Sequence, residues 1–391
     1  MTRVVLHVGM SKAGSSTLQT ALARRHGRGF LYPGDDVAAR GLPSRGNAYE
    51  LFTRSCLPAD EGRDEAISEW LDEVLVADAT VVLSSEFFSR STEEEAMAIV
   101  AAIRARADLV TVAVVRNVYE HAISAWIHAA RNIPGLAFGE YCTRYYADGG
   151  RGDRTGADSH VLRASQIDPL LRWGDVTGDL RVVHLDSDPS TLVERVFAAV
   201  DLPLAPDDGG TEIVNRGLTY AQFELVQAAA SHDPRLADLL TGVLLPVPGR
   251  RGVPMFGAEL DGLERRFARG VDLVNARWFD GASVLRIAPR MDRVAPVSDL
   301  AVDASTLALI EVLAKLLVVA EARALAQPDR WDASPARSVG GHPEGFDPVA
   351  YLLANPDLLV DDVDPWAHWL DAGRHEGRPL GGGTGPSGGD R

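Results

Sequence analysis

Arg3-Val4-Val5-Leu6-His7-Val8-Gly9-Met10-Ser11-Lys12-Ala13-Gly14-Ser15-Ser16-Thr17-Leu18 opens the chain with an apolar run, a glycine-punctuated loop and the start of a helical pattern. The run over 3–8 reads as a buried strand. The string GMSKAGSS supplies turn chemistry, and Leu18, Ala21, Leu22 and Arg25 then recur at helical spacing with the arginine at the rim. Strand, loop and helix in that order bring backbone N–H groups and the positive end of a helix dipole to one spot, which favours an anion. The loop departs from the G-x-x-x-x-G-K-[ST] phosphate pattern, because Lys12 precedes Gly14 instead of following it.

Outward from this unit the same alternation recurs. Thr80 to Ser84, Leu109 to Val115 and Leu180 to Leu185 are strand candidates, each beside a helical pattern. The expected fold class is α/β, with a central parallel sheet flanked by helices. Asn117 followed three residues later by Glu120 reads as a capping box, which would put phosphate-facing amides just after Val115. From about 212 to 326 the pattern is mostly helical, with amphipathic stretches near 219–231, 259–275 and 305–326, so a helical flank is expected. Residues 327–343, rich in proline, glycine and serine, read as a linker. A small helical module over 344–380 follows, and 381–391 has nothing to bury and reads as a disordered tail.

Composition bounds the function. The 391 residues suffice for one large α/β domain and an appendage. A net charge of −16 argues against a protein that coats a nucleic-acid backbone. Cys56 and Cys142 are too few and too far apart for a disulfide framework or a paired-cysteine zinc site. No stretch approaches a membrane span, since 307–325 is interrupted by Glu311, Lys315, Glu321 and Arg323. A cytoplasmic location without a membrane span is the expectation.

Lys12, Ala13, Gly14, Ser15, Ser16 and Thr17 resemble the K-x-G-[ST]-[ST] loop of the sulfotransferase family, whose fold is similar to P-loop nucleotide transferases. A second match is Arg116 and Ser124, eight positions apart at the end of the Leu109 to Val115 strand, which resemble that family's 3′-phosphate motif. An arginine at a strand end can grip a phosphate bidentately, and a serine two helical turns on can face the same side. The resemblance implies a sulfotransferase domain over 1–326 with its catalytic core at about 1–285. It implies 3′-phosphoadenosine-5′-phosphosulfate (PAPS) as donor, adenosine-3′,5′-bisphosphate as product, and no metal. By the same resemblance Lys12 would meet the bridging oxygen, Ser15, Ser16 and Thr17 the 5′-phosphate, and Arg116 with Ser124 the 3′-phosphate.

The base that takes the acceptor's proton should stand at a strand end beside the loop, and Glu86 does so after TVVLSS. His121 and His128 are rivals on one helical face with Ser124; His7 reads as core and His160 is unassigned. A third nucleotide-binding segment could be Gly249-Arg250-Arg251-Gly252 or Asn215-Arg216-Gly217-Leu218-Thr219. The tail, with Phe346-Asp347-Pro348, Asn355-Pro356-Asp357-Leu358 and His368-Trp369-Leu370, resembles a module found with bacterial glycosyltransferases and polysaccharide-assembly proteins, which implies a carbohydrate acceptor. Two other readings stand beside this one. A small-molecule kinase would need a Walker lysine and a magnesium-binding strand end; a non-catalytic scaffold of a polysaccharide-assembly complex would lack a working base.

Overall fold

The computed structural model describes residues 2–34, 46–131, 133, 135–146, 165–187, 189–204, 218–230 and 252–300. Beyond these it describes short pieces, of which 346–355 and 364–376 are the longest. The described chain divides into two compact units, Met1–Gln227 with Thr241–Ala301, and Ala228–Leu240 with Val302–Arg391. The linker expected over 327–343 and the tail over 381–391 lie outside the described residues.

The first unit is built on four parallel strands, β1 (Arg3–Val8), β2 (Thr80–Ser85), β3 (Asp108–Val115) and β4 (Leu180–His184), in the order β2-β1-β3-β4. Each is one of the four strand candidates of the sequence. Val4, Val5, Leu6 and Val8 on β1 and Val112 to Val115 on β3 are buried on both faces, which is why these stretches read as nearly continuous apolar runs. Helices α1 (Ser15–Arg24), α2 (Tyr49–Ser55), α3 (Arg63–Val74), α4 (Glu93–Arg104), α5 (Val118–Ala130), α6 (Ile167–Thr177), α7 (Leu192–Ala199), α8 (Tyr220–Ala230) and α9 (Gly257–Trp278) accompany the sheet. The chain leaves β1 for β2 on one side and returns to β3 on the other, so the topological switch lies at β1. In open α/β sheets a ligand crevice opens there, outside the carboxyl ends of the strands.

The exposed edge of β2 is closed by the chain that follows α1. Leu31 N donates to Thr80 O at 2.8 Å and Val82 N to Leu31 O at 2.8 Å. Farther along, the Asn47 side chain bonds the two peptides that flank Leu83, with Nδ2 donating to Val82 O and Oδ1 receiving Ser84 N, each at 2.8 Å. These bonds satisfy an edge that would otherwise present unpaired backbone groups.

The second unit has its own small core. Asp347 caps α10 (Pro348–Ala354) by accepting from Val349 N and Ala350 N. Tyr351 and Leu352 are fully buried against Ala322 and Leu358, and the Tyr351 hydroxyl lies 2.9 Å from His368 Nδ1. Trp366 and Trp369 stack with ring centres 5.6 Å apart.

The turn after β2, Glu86–Arg90, is fixed from beneath. Trp173 on α6 is fully buried, its Nε1 donates to Phe88 O at 2.8 Å, and its ring meets Phe88 edge-on at 5.9 Å. Trp173→Phe removes one of the two donors to the Phe88 carbonyl, Ser91 N at 3.1 Å remaining, and is expected to cost about 0.5–1.5 kcal/mol in urea unfolding. Trp173→Ala adds a cavity and should lose about 3–5 kcal/mol. Stabilities equal to the parent's would show that the turn is held by other contacts.

Candidate functional site

Four strand ends converge on the crevice. β1 ends in the loop 9–14, β2 in Glu86, β3 in Arg116 and β4, one residue on, in Asp186. The ends of β1 and β2 touch: Gly9 N donates to Ser85 O at 3.0 Å, and a Cβ on Gly9 would come within 2.8 Å of Glu86 Cα. Only glycine permits that approach.

The loop turns sharply. Lys12 has φ +61° and Gly14 φ +88°, and Ala13 N closes on Met10 O at 3.3 Å. Left-handed residues in close succession turn backbone N–H groups toward one concavity, an anion-binding nest. Gly14 is also the N-cap of α1 and makes no side-chain cap bond, and Leu18 N is the amide that returns to its carbonyl, at 3.2 Å. Ser15 is buried and its hydroxyl donates to Met10 O at 3.0 Å, which commits that proton to loop closure. Its amide, with Ser16 and Thr17, forms the first turn facing the nest. The K-x-G-[ST]-[ST] residues therefore come together in one tight turn at the start of α1.

Arg116 leaves β3 with its backbone clasped by the Gln166 side chain. Its N donates to Gln166 Oε1 at 2.9 Å, and Gln166 Nε2 donates to its carbonyl. Its Nε lies 3.4 Å from Oδ1 of Asp186, a carboxylate with 1% exposure whose other oxygen accepts from Asn117 N at 2.8 Å. A buried carboxylate thus aims the guanidinium from behind. Ser124 lies two turns into α5 and is half-buried. It falls on the helical face of His121, whose Nε2 lies 2.8 Å from Ser11 O, so that face looks onto the loop.

The expected capping box at Asn117 and Glu120 does not form. Asn117 makes no side-chain cap; its Oδ1 instead accepts from Arg286 N and His184 Nε2, each at 3.1 Å. Glu120 Oε1 accepts from Arg290 N at 3.1 Å. The first amides of α5 are taken as well, Val118 N by Arg286 O at 2.9 Å and Tyr119 N by Ile287 O at 3.0 Å. Residues 285–290 cross the helix start and out-compete the local cap, so these amides do not face a phosphate. An anion near Arg116 would rest on side chains.

Lys12 interacts electrostatically with Glu86 and with His128. Burial pushes the Glu86 carboxyl above the ordinary carboxylate range, with the charges of Lys12 and Arg90 pulling the other way. Burial lowers the Lys12 ammonium, opposed by Glu86 and reinforced by Arg131. His128 is pushed down to about 3, chiefly by burial and then by Lys12, Arg131 and Arg90, and is neutral at physiological pH. Among the described residues none of these three side chains has a hydrogen bond or close ion pair. Three polar groups, partly stripped of water and unbonded, can receive a substrate: Glu86 as an acceptor of a proton, Lys12 as a cation for a departing anion, His128 as a neutral donor or acceptor.

His121 is in a different position from its rivals. Both ring nitrogens are engaged, Nε2 with Ser11 O and Nδ1 with the Tyr146 hydroxyl at 2.9 Å, so it has no lone pair to offer an acceptor. His7 is in the core, bonded through Nδ1 to Ser84 Oγ at 2.8 Å. His160, residues 249–251 and residues 215–217 lie outside the described residues. Thr219 does open a helix, trading bonds with Gln222 in a reciprocal cap before α8. Among the described residues no group of three or more His, Cys, Asp or Glu gathers as a metal site would require, and no helix is long and apolar enough to cross a membrane. Two cavities lie off the strand ends, about 470 Å³ between Cys142 and α9 and about 440 Å³ between α6 and α9.

Asp186, Gln166 and Tyr146 were missed in the sequence. Asp186 had a usable signal, because it follows a strand as Glu86 does; Gln166 and Tyr146 had none, since their partners are remote in sequence.

No protein-family model matches the chain, and no curated protein matches it. Among solved structures it is similar to the crystal structure of a sulfotransferase from Alicyclobacillus acidocaldarius, with 18% identity over 60% of this chain and 94% of that chain and a TM-score of 0.34. A likeness of that size does not bear on function.

The site's buried histidines make stability depend on pH. His7 and His121 protonate near 6.5 when unfolded but are pushed down to about 4 in the fold by burial. Between those values the unfolded chain binds more protons, so stability is full above about 6.5 and declines as pH falls through the window. Thermal unfolding followed across that range should show a falling midpoint, and His121→Gln, which cannot titrate, should flatten the slope. An unchanged slope in that variant would mean the ring is already protonated in the fold.

Proposed function

We propose that the chain is a PAPS-dependent sulfotransferase that passes a sulfuryl group to a hydroxyl or amine. The observation that carries this is the meeting, at the carboxyl ends of β1, β2 and β3, of an anion nest containing Lys12, a desolvated carboxylate at Glu86 and an arginine at 116 aimed by Asp186. In this reading the amides of Gly14 to Thr17 and the hydroxyls of Ser16 and Thr17 hold the 5′-phosphate. Arg116 and Ser124 hold the 3′-phosphate.

The reaction is an in-line displacement. The acceptor's oxygen or nitrogen attacks sulfur and gives its proton to Glu86; the bridging S–O bond breaks, and its electron pair settles on the phosphate oxygen beside Lys12. Positioning and charge stabilisation supply most of the rate in such transfers. The raised proton affinity of Glu86 suits a base. His128, neutral beside Lys12, is the second group able to bond the acceptor. A carbohydrate acceptor is the reading that the tail's resemblance supports, with the protein acting in the cytoplasm. A kinase reading lacks its Walker lysine, and a scaffold would have no use for a lysine, carboxylate and imidazole that are partly stripped of water and make no hydrogen bond among the described residues.

Calorimetric titration with adenosine-3′,5′-bisphosphate should show micromolar binding that ATP does not reproduce. Arg116→Ala and Lys12→Ala should each weaken it, the first because a charge-assisted phosphate contact is lost. Tighter magnesium-dependent binding of ATP would instead move the kinase reading to the front. Once an acceptor is in hand, Glu86→Gln should lower kcat about 10²–10⁴-fold with bisphosphate affinity unchanged; a fully active Glu86→Gln enzyme would pass the base role to His128.

A further inference from the structure

His121 is buried in α5 between the loop and Tyr146, and its two bonds leave one arrangement of protons. Ser11 O is a carbonyl and only accepts, so Nε2 carries the hydrogen across the 2.8 Å contact. Nδ1 is then a lone pair, and the Tyr146 hydroxyl at 2.9 Å must donate to it. Tyr146 lies 3.3 Å from Val118 O as well, but it has a single proton and the shorter contact takes it. Burial together with the charges of Arg116 and Lys12 keeps the ring neutral at physiological pH, so the tautomer does not change.

The bond falls at the one place where it matters to the loop. Ser11 O belongs to the peptide that joins Ser11 to Lys12, and Lys12 stands at φ +61°, where non-glycine residues are uncommon. A peptide group is planar, so gripping its oxygen also fixes the direction of the Lys12 N–H. Other bonds close the loop, Gly9 N on Ser85 O and both Ala13 N and Ser15 Oγ on Met10 O, and none of them grips the peptide that joins Ser11 to Lys12. His121 supplies the grip next to the lysine.

We propose that His121 is a positioning residue: its Nε2–H, held in that tautomer by the Tyr146 hydroxyl, clamps the Ser11 carbonyl and sets the left-handed turn that presents Lys12. Its effect on a phosphosulfate donor rests on the function proposed above. The clamp itself belongs to the ligand-free fold, and the two are tested separately.

Three variants decide it. His121→Gln keeps an N–H for Ser11 and an oxygen for Tyr146; His121→Leu keeps neither; Tyr146→Phe removes only the group that fixes the tautomer. In ligand-free protein, amide hydrogen exchange across residues 9–16 should quicken about tenfold or more in His121→Leu, remain near the parent in His121→Gln and fall between in Tyr146→Phe. Long-range proton–nitrogen NMR of the parent should show His121 as the neutral Nε2–H form. Adenosine-3′,5′-bisphosphate should bind about ten- to hundredfold more weakly to His121→Leu, with His121→Gln restoring most of the loss. Parent-like exchange in His121→Leu, an Nδ1–H tautomer, or a folded His121→Gln as impaired as His121→Leu would overturn the clamp. If His121→Leu does not fold, the exchange rates of Tyr146→Phe and the NMR signature of the parent decide between clamp and no clamp. A parent protein that binds no bisphosphate would remove the donor reading, while the exchange comparison would still decide the clamp.

Discussion

A parallel sheet puts all its strand exits on one side, and that polarity governs the chemistry of this chain. With the order β2-β1-β3-β4, the exits of β1 and β3 separate where the connections part to opposite sides. The loop at Lys12, the carboxylate at Glu86, the guanidinium at Arg116 and the buried Asp186 are consequences of four short strands ending together. Gly9 tightens the arrangement by letting β1 run against the backbone of Glu86. The turn that carries Glu86 is in turn pinned by Trp173 on α6.

Electrostatics follow from this crowding. Lys12, Arg90 and Arg131 stand with one carboxylate, Glu86, in a region partly withdrawn from water, and burial is the first cause of each shifted proton affinity there. Withdrawal from water raises the cost of the charged forms and strengthens what charge interaction remains. Of the three histidines around the loop, His121 spends both ring nitrogens on the fold and His7 its Nδ1. The third, His128, makes no hydrogen bond among the described residues, and nothing in the residue type distinguishes the three; only their bonds do.

The strands were legible because each centres on a short, mostly apolar, β-branched stretch beside a helical pattern. The loop was legible because lysine, glycine and serines at fixed offsets carry a local mechanism. Helix α5 was legible as a helix, but its start was misjudged: Asn117 and Glu120 have the spacing of a capping box, and a segment about 170 residues later takes their bonds instead. Spacing reports only local competition, and here the competitor is tertiary. The same limit hid Tyr146 and Gln166, whose partners lie 25 and 50 residues away. Asp186 could have been found by applying to β4 the strand-end argument that selected Glu86.

The crossing of α5 by residues 285–290 bears on how the protein is made. Val118 and Tyr119 receive their acceptors from Arg286 and Ile287. A ribosome that has released β1 to β4 has delivered the whole sheet, yet the helix behind Arg116 still lacks the backbone that completes its first turn. Contacts so distant in sequence form late, because a long loop must close before they return any energy. Chain shortened before residue 285 would lack the acceptors of Val118 N and Tyr119 N, so the helix that carries His121 and follows Arg116 is completed only after the whole sheet has been delivered.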